Sequence, residues 1–323
     1  MGPTTAGIRY PHATAPEAGE AIEVAKGVLW MRLPLPMALD HVNVYALDEG
    51  DSWTVIDTGF DSRKSRAIWA DLLAGPMAGK PVSRVVITHH HPDHVGLAGW
   101  FVEQGATLHM PRTAWLMARM LTLDAHDVPT PETLAFYRHC GMDAQVYDSR
   151  KDTRPFNFAD CVAPLPVGFN RLKDGETIIM GGRVWDIRMG NGHAPEHATF
   201  WSRDDNLVIG GDQLLPSISA NLGVYATEPD ADPVAERAKA ATHLAALDGQ
   251  IGTHIFDAPS IADMAIAPFV RQFAFIDKQW FDAQPWPQLQ AWLERFLTSD
   301  SFATVMNKYP QWAEGDAPTV FPA

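Results

Sequence analysis

Thr88-His89-His90-His91-Pro92-Asp93-His94 follows directly on Arg84-Val85-Val86-Ile87, a β-branched apolar run of the kind carried by a strand buried on both faces. A metal ion needs several nitrogen and oxygen donors held rigidly at ~2.0–2.2 Å. A loop leaving the end of a buried strand meets that demand. Alternation turns His89 and His91 to one side, while Asp93 and His94 reach a neighbouring position at the turn into the next helix. His90 faces the other way and reads as structural. One histidine in such a place reads as a capping or surface residue; four donors within the six residues 89–94 read as a metal centre.

Upstream, Gly27–Leu33, Val42–Leu47 and Trp53–Asp57 read as short strands, the third after the turn signal Glu49-Gly50-Asp51. Asp57-Thr58-Gly59 puts a carboxylate at the C-terminal tip of a buried strand. Residues 62–75 carry a helical pattern through Ile68, Trp69, Leu72 and Leu73, closed by Gly75-Pro76. Downstream, a helix over 94–104 ends at Gly105 and a short strand lies near Leu108. From Thr113 to about Gly141 the pattern is helical, broken at Pro129 and Pro131. Two hairpins follow, Glu176–Met180 with Arg183–Arg188 and Ala198–Trp201 with Leu207–Gly210. Residues 233–247 form an Ala-rich helix, and Gly249–Phe256 reads as a short strand carrying His254. Residues 261–282 and 286–298 are helical and rich in Trp and Phe.

This organisation divides into a lead-in (1–24), an α/β catalytic domain (25–258) and a C-terminal helical domain (259–323). Within the catalytic domain, residues 112–147 read as a helical lid insertion, whose Trp115, Met117, Met120, Phe136 and Tyr137 could line an acyl pocket. The segment Gln213–Asn221 is expected to rim the site.

Hydrophobic residues make up 46% of the 323 and charged residues 20%, ordinary values for a core-forming chain, which excludes general disorder. The formal net charge of −14 makes nucleic acid and anionic membrane surfaces poor partners. No run approaches ~18 apolar residues, and no basic segment followed by an apolar one reads as a secretory signal. The expectation is a cytoplasmic enzyme acting on a small molecule, with a homodimer left open. The two cysteines, Cys140 and Cys161, read as thiols, one bridge between them also being allowed by their spacing.

The H-x-H-x-D-H motif resembles that of the metallo-β-lactamase superfamily, and further motifs follow in the family's order over roughly residues 25–258. They are Asp57 in Val55-Ile56-Asp57-Thr58-Gly59, His193 in Gly190-Asn191-Gly192-His193-Ala194-Pro195-Glu196-His197, Asp212 in Gly210-Gly211-Asp212-Gln213, and His254 in Gly252-Thr253-His254-Ile255-Phe256. The resemblance implies an α/β fold, the αββα metallo-β-lactamase sandwich, with a C-terminal helical domain like that of hydroxyacylglutathione-hydrolase-like members. It implies two divalent ions, with zinc the first expectation and iron or manganese also accepted by imidazole. His89, His91 and His193 would hold the first ion, Asp93, His94 and His254 the second, and Asp212 would bridge. Asp57 and His197 would support these ligands without binding metal. His254 departs from the family pattern, in which glycine flanks the last ligand; His243 is the substitute, although it sits in mid-helix.

The implied chemistry is attack on an ester, thioester or lactone carbonyl by metal-bound hydroxide, formed between ions ~3.5–4 Å apart. Asp93 and Asp212 are then the catalytic carboxylates, Asp93 orienting the nucleophile and passing a proton. No serine or cysteine nucleophile is required. Two alternatives stand beside this: a mononuclear iron dioxygenase acting on glutathione persulfide, and a non-catalytic relative, suggested by the surroundings of His254. The acidic charge disfavours nuclease relatives, and the lack of an export signal disfavours a true β-lactamase.

Overall fold

The computed structural model describes residues 4–5, 8–9, 11–12, 14–37, 39–215, 233–256 and 258–305. The described residues from Thr14 to Leu215 form one compact unit, and those from Pro233 onward, with the N-terminal ones, form another. In the latter, β1 (Thr4–Thr5) pairs antiparallel with β2 (Ile8–Arg9).

The larger unit is a sandwich. Its first sheet begins as an antiparallel meander, β3 (Ile22–Ala25), β4 (Val28–Pro34), β5 (His41–Asp48) and β6 (Trp53–Ile56). After α1 (Arg63–Ala74) it continues in parallel with β7 (Val82–Val86). The chain then passes through α2 (Pro92–Val95) and α3 (Ala98–Glu103) to the parallel strand β8 (Thr107–Pro111). Helices α4 (Arg112–Leu123), α5 (Pro131–His139) and α6 (Ala144–Arg150) precede the last parallel strand, β9 (Asn170–Leu172). The second sheet is an antiparallel meander of β10 (Thr177–Met180), β11 (Arg183–Gly190), β12 (His197–Ser202) and β13 (Val208–Ile209).

Strand alternation sorts the apolar side chains into two cores. Val42, Val44 and Ala46 of β5 join Val55 and Val85 in a core with Trp69 and Leu72 of α1, Phe101 of α3, and Ala114 and Ala118 of α4. Leu47, Ile56 and Val86 face the other way, against Met180, Trp185, Ile187 and Phe200 of the second sheet. The burial of β6 and of Val85 and Val86 on both faces explains their uninterrupted apolar pattern. The α/β sandwich with a helical unit is the fold expected from the sequence.

Three local expectations are corrected. The lead-in contains a strand, since Ile22–Ala25 pairs with β4 across an irregular register. Residues 249–256 contain no strand, and Ile251 instead packs into the helical unit. That unit also takes the Ala-rich helix, α7 (Pro233–Asp248), so the division falls earlier than residue 258. It continues with α8 (Ile261–Ile276), α9 (Lys278–Asp282), α10 (Pro287–Leu297) and α11 (Asp300–Val305). Its core is aromatic, with Phe281, Trp286 and Trp292 almost wholly buried. Asp263 pins it from inside, accepting hydrogen bonds from Ile255 N at 3.0 Å, Trp292 Nε1 at 2.9 Å and Ser260 N at 2.9 Å.

The segment read as a lid is not uniform. α4 packs on the sandwich, with the rings of Trp115 and Phe169 stacked and their centres 4.8 Å apart, whereas α5 and α6 bury no residue completely. Both cysteines are free thiols, Cys140 exposed and Cys161 half-buried. Among the described residues, no helix is long and apolar enough to cross a membrane.

Candidate metal centre

β6 and β7 run in parallel with Ile56 opposite Val86, so Asp57 and Thr88 emerge side by side at the same end of the sheet. Asp57 is buried and holds a left-handed backbone, φ 60°. Such a conformation costs about 1–3 kcal/mol, with Asp among the residues that tolerate it best. The cost is offset locally: Asp57 Oδ1 accepts from Thr88 N at 2.8 Å, and Oδ2 accepts from Thr88 Oγ1 at 2.8 Å and lies 2.8 Å from His94 Nδ1. Hydrogen bonds to a charged group contribute about 1.5–3 kcal/mol each, so the network outweighs the strain. Thr58 completes the clasp, its N–H and hydroxyl donating to His94 O at 2.8 and 2.9 Å.

This network assigns tautomers. The Asp57 carboxylate only accepts, so the Thr88 hydroxyl donates to it and offers its lone pair to His89 Nδ1, 2.9 Å away. His94 Nδ1–H likewise donates to Asp57. In His89 the proton sits on Nδ1 and Nε2 keeps its lone pair; His94 Nε2 offers one once the ring gives up its second proton. His89 Nε2 and His94 Nε2 are buried without a hydrogen-bond partner. Buried polar atoms are rarely left so; imidazole nitrogens held in this way fit a metal.

The donors meet in two groups. Ligand atoms of His89, His91 and His193 lie within 4.8 Å of one another, and so do those of His89, His94 and Asp212. Asp212 Oδ2 stands 3.3 Å from His94 Nε2 and 3.4 Å from His193 Nε2, touching a member of each group. His193 Nε2 faces His91 Nδ1 at 3.0 Å. Asp93 belongs to neither group, but its Oδ2 is 3.6 Å from His94 Nε2. His90 is buried beside His91, with its pKa pushed down to about 4 by burial and then by His193. His197 stacks on His89, and its Nε2 accepts from Asp212 N at 3.1 Å, so that nitrogen is already engaged. His254 lies in the helical unit, its Nδ1 3.7 Å from Asp263 Oδ1, and the two donor groups form without it. His243 is exposed on α7. Beyond Leu215, the expected rim Gln213–Asn221 lies outside the described residues.

Electrostatics separate these groups. Burial, followed by the neighbouring imidazoles, pushes His89 well below its ordinary range, His91 down to about 3 and His197 down to about 4. Neutral imidazole is the form that binds metal. His94 goes the other way: burial lowers it, but Asp93, Asp212 and Asp57 together raise it well above the usual value. Burial raises Asp93, while Asp212 is held low against burial by His94 and His193. Tyr45 of β5 is pushed up to about 12 by burial and by Asp57 and Asp212.

Several residues that shape the site carry no motif of their own. Thr88 links Asp57 to His89. Gly211 has φ 48°, and a Cβ there would lie 2.6 Å from His197 Cε1. Gln213 Oε1 accepts from His193 N at 3.4 Å. Glu196, between His193 and His197, also has positive φ, 49°, and its Oε2 accepts from Thr113 N on α4 at 2.7 Å.

Comparison with known proteins places this geometry. The family model of the Metallo-beta-lactamase superfamily matches residues 37–251, and the chain belongs to that superfamily. A second family model, Glutathione S-transferase, C-terminal domain, matches residues 230–295, in the helical unit. Among curated proteins, "Probable metallo-hydrolase YqjP" of Bacillus subtilis (strain 168) is 28% identical over 199 residues, covering 60% of this chain and 59% of that protein. The match thus spans less than two thirds of that relative. Among solved structures, a beta-lactamase domain protein from Burkholderia ambifaria has a TM-score of 0.65 and 27% identity, covering 91% of this chain and 90% of its own. The metallo-beta-lactamase family protein TTHA1429 of Thermus thermophilus shares the fold, with a TM-score of 0.52 and 24% identity over 85% of this chain and 94% of its own. The fold implies divalent metal, and the donor groups are candidates to hold it.

Proposed function

We propose that the protein is a dinuclear metal-dependent hydrolase acting on an ester, thioester or lactone carbonyl. One observation carries the reading: Asp212 Oδ2 lies 3.3–3.4 Å from both His94 Nε2 and His193 Nε2, at the junction of two donor groups. His89, His91 and His193 would hold one ion and Asp93 and His94 the other, with Asp212 between them. His254 as a further donor to the second ion rests on the order of the superfamily's motifs. Two divalent ions, zinc by first expectation, would lower the pKa of a shared water toward neutrality and polarise a carbonyl oxygen.

The chain's own residues supply the remaining requirements. Asp57 and Thr88 fix the ring planes of His94 and His89. Asp93 stands beside His94 with its carboxyl raised by burial, suited to taking a proton at one step and returning it at another. Metal content of protein purified without chelator, with a panel of thioesters, lactones, aryl esters and β-lactams, tests the reading. About two divalent ions per chain and turnover lost in Asp212→Ala and His91→Ala, with folding retained, are expected. Full activity in either variant rejects it.

A second reading has an observation in its favour. His89, His94 and Asp212 form a two-imidazole, one-carboxylate set of the kind that suits non-haem iron(II). One iron per chain and oxygen consumption with glutathione persulfide would put the dioxygenase first.

A further inference from the structure

An apolar cleft of about 690 Å³ opens on the sandwich unit between the end of β4 and the segment that follows α6. Leu35, Pro36, Met37, Phe60, Phe156 and Cys161 line it. Met37 and Phe156 are 54% and 70% exposed. Large apolar side chains converging on one concavity, left open to water, mark a place where a ligand covers them. The lining carboxylates are already held, Asp61 by Arg66 at 2.6 Å and Asp160 by Arg154 at 2.7 Å, so neither repels an apolar ligand as a free charge. Lys64 stands at the exposed edge.

The cleft shares a wall with the metal-binding loop. Phe60 and Asp61 follow Asp57-Thr58-Gly59 directly. Gly96 closes α2, the helix that carries Asp93 and His94. A Cβ on Gly96 would lie 2.3 Å from Gly59 O and 2.8 Å from Asp61 N, so residues 59–61 rest against that helix with no side chain between. Asp61 N–H in turn donates to Cys161 O at 2.8 Å, tying that part of the lining to the same loop. A carbonyl presented to Asp93 and Asp212 therefore has an apolar concavity one loop away. None of the five residues expected to line an acyl pocket from 112–147 lines it.

Resting on the hydrolase reading, we propose that this cleft receives the acyl chain of the substrate, and that the protein selects apolar acyl esters or thioesters over acetyl ones. The apolar lining carries the selectivity; about 690 Å³ admits an octanoyl group with room to spare, which makes octanoate a suitable probe, and the flexible Met37 can pack against it. A uniformly bound acyl tail lowers KM more than it raises kcat.

The test uses the full chain with its metal as purified. Rates are compared for p-nitrophenyl acetate, butyrate and octanoate in wild type, Met37→Ala and Phe156→Ala, both positions being exposed so that folding is spared. In parallel, calorimetry measures sodium octanoate binding to the chelator-treated protein. The expectation is a kcat/KM at least tenfold higher for octanoate than for acetate. Phe156→Ala should raise KM for the octanoate ester about five- to tenfold, leave the acetate within twofold, and weaken octanoate binding in proportion. Hydrolysis without chain-length preference, and no octanoate binding, overturns the cleft and leaves the hydrolase standing. No hydrolysis of these esters or of the thioester and lactone panel, with octanoate binding that depends on Phe156, leaves an apolar binding cleft and removes the hydrolase reading. A preference for octanoate that neither variant changes also overturns the assignment.

Discussion

Asp57 Oδ2 lies 2.8 Å from His94 Nδ1, and both side chains are almost completely buried. The carboxylate thereby aims the opposite nitrogen of the ring at Asp212 and Asp93. An interior ion pair whose second ring nitrogen is buried without a hydrogen-bond partner is a support for something else, and here that is the donor set around His89.

Asp57→Asn isolates this role. Asparagine tolerates the left-handed backbone as well as aspartate does but loses the charged acceptor facing Thr88 Oγ1 and His94 Nδ1, so the metal-free protein should stay folded with a melting temperature several degrees lower. Affinity for zinc should fall about 10–100-fold, the usual loss when a residue behind a ligand is changed. Chelator competition measures it. Asp57→Ala should lose further stability, of order 1–3 kcal/mol, from backbone strain and orphaned partners. Unchanged zinc affinity in Asp57→Asn would separate Asp57 from the metal site.

The buried imidazoles predict a stability profile for the metal-free protein with two limbs. His91 and His197 sit at about 3 and about 4 when folded, against about 6.5 when unfolded. The unfolded chain binds more protons in that window, so stability is lost as pH falls below about 6.5. His94 has the opposite sign. Its raised folded pKa stabilises below about 6.5, and that contribution is lost as pH rises through the folded value. Melting temperatures across pH should show both limbs, and His94→Gln should remove the alkaline one alone. A profile in which His94→Gln leaves the alkaline limb intact contradicts the charge assignment.

The same charge on His94 predicts proton release. Metal binding to His94 requires its neutral form, so zinc titration near pH 7 should expel about one proton per chain. Calorimetry in buffers of different ionisation enthalpy reads that number directly. Zero release would mean that His94 is neutral before metal arrives.

Glu196 couples the His193 loop to α4 through its bond to Thr113 N. Glu196→Gly relieves the positive φ but cuts this tie, whereas Glu196→Gln keeps an acceptor. Hydrogen exchange at the start of α4 should speed up in Glu196→Gly and stay near wild type in Glu196→Gln, with metal content following the same order. Equal protection in both variants would make the tie incidental.

His254→Ala tests the last proposed ligand. If His254 completes the second ion's set, metal content should drop from about two toward one per chain while His89, His91 and His193 keep theirs. Two ions retained in His254→Ala would assign the second ion to donors of the sandwich unit alone.

Much of the fold was readable because its signals are local. Residues 84–87 announce a doubly buried strand, and the pattern over 62–75, closed by Gly75-Pro76, announces α1, which ends with Gly75 N donating to Asp71 O at 2.8 Å. His254 shows the limit. Residues 251–256 have a strand's composition, yet they are irregular backbone, with Ile255 N donating to Asp263 Oδ1 and Ile251 buried in the core of the helical unit. A short apolar run takes its conformation from the neighbours it finds.

The amino-acid sequence by itself determined the superfamily and pointed to the candidate donors His89, His91, His94, His193 and Asp212 that the structure brings into two groups, because H-x-H-x-D-H and its companions are short patterns whose chemistry depends on residue type and spacing. Only the tertiary structure decided which nitrogen each ring presents, that Thr88 relays between Asp57 and His89, that Glu196 reaches α4, and where an apolar cleft opens beside Gly59. These are contacts between residues far apart in the chain, 83 positions for Thr113 and Glu196 and 102 for His91 and His193. Hydrogen-bond direction and cavity shape depend on which groups meet, and no spacing along one strand encodes that meeting.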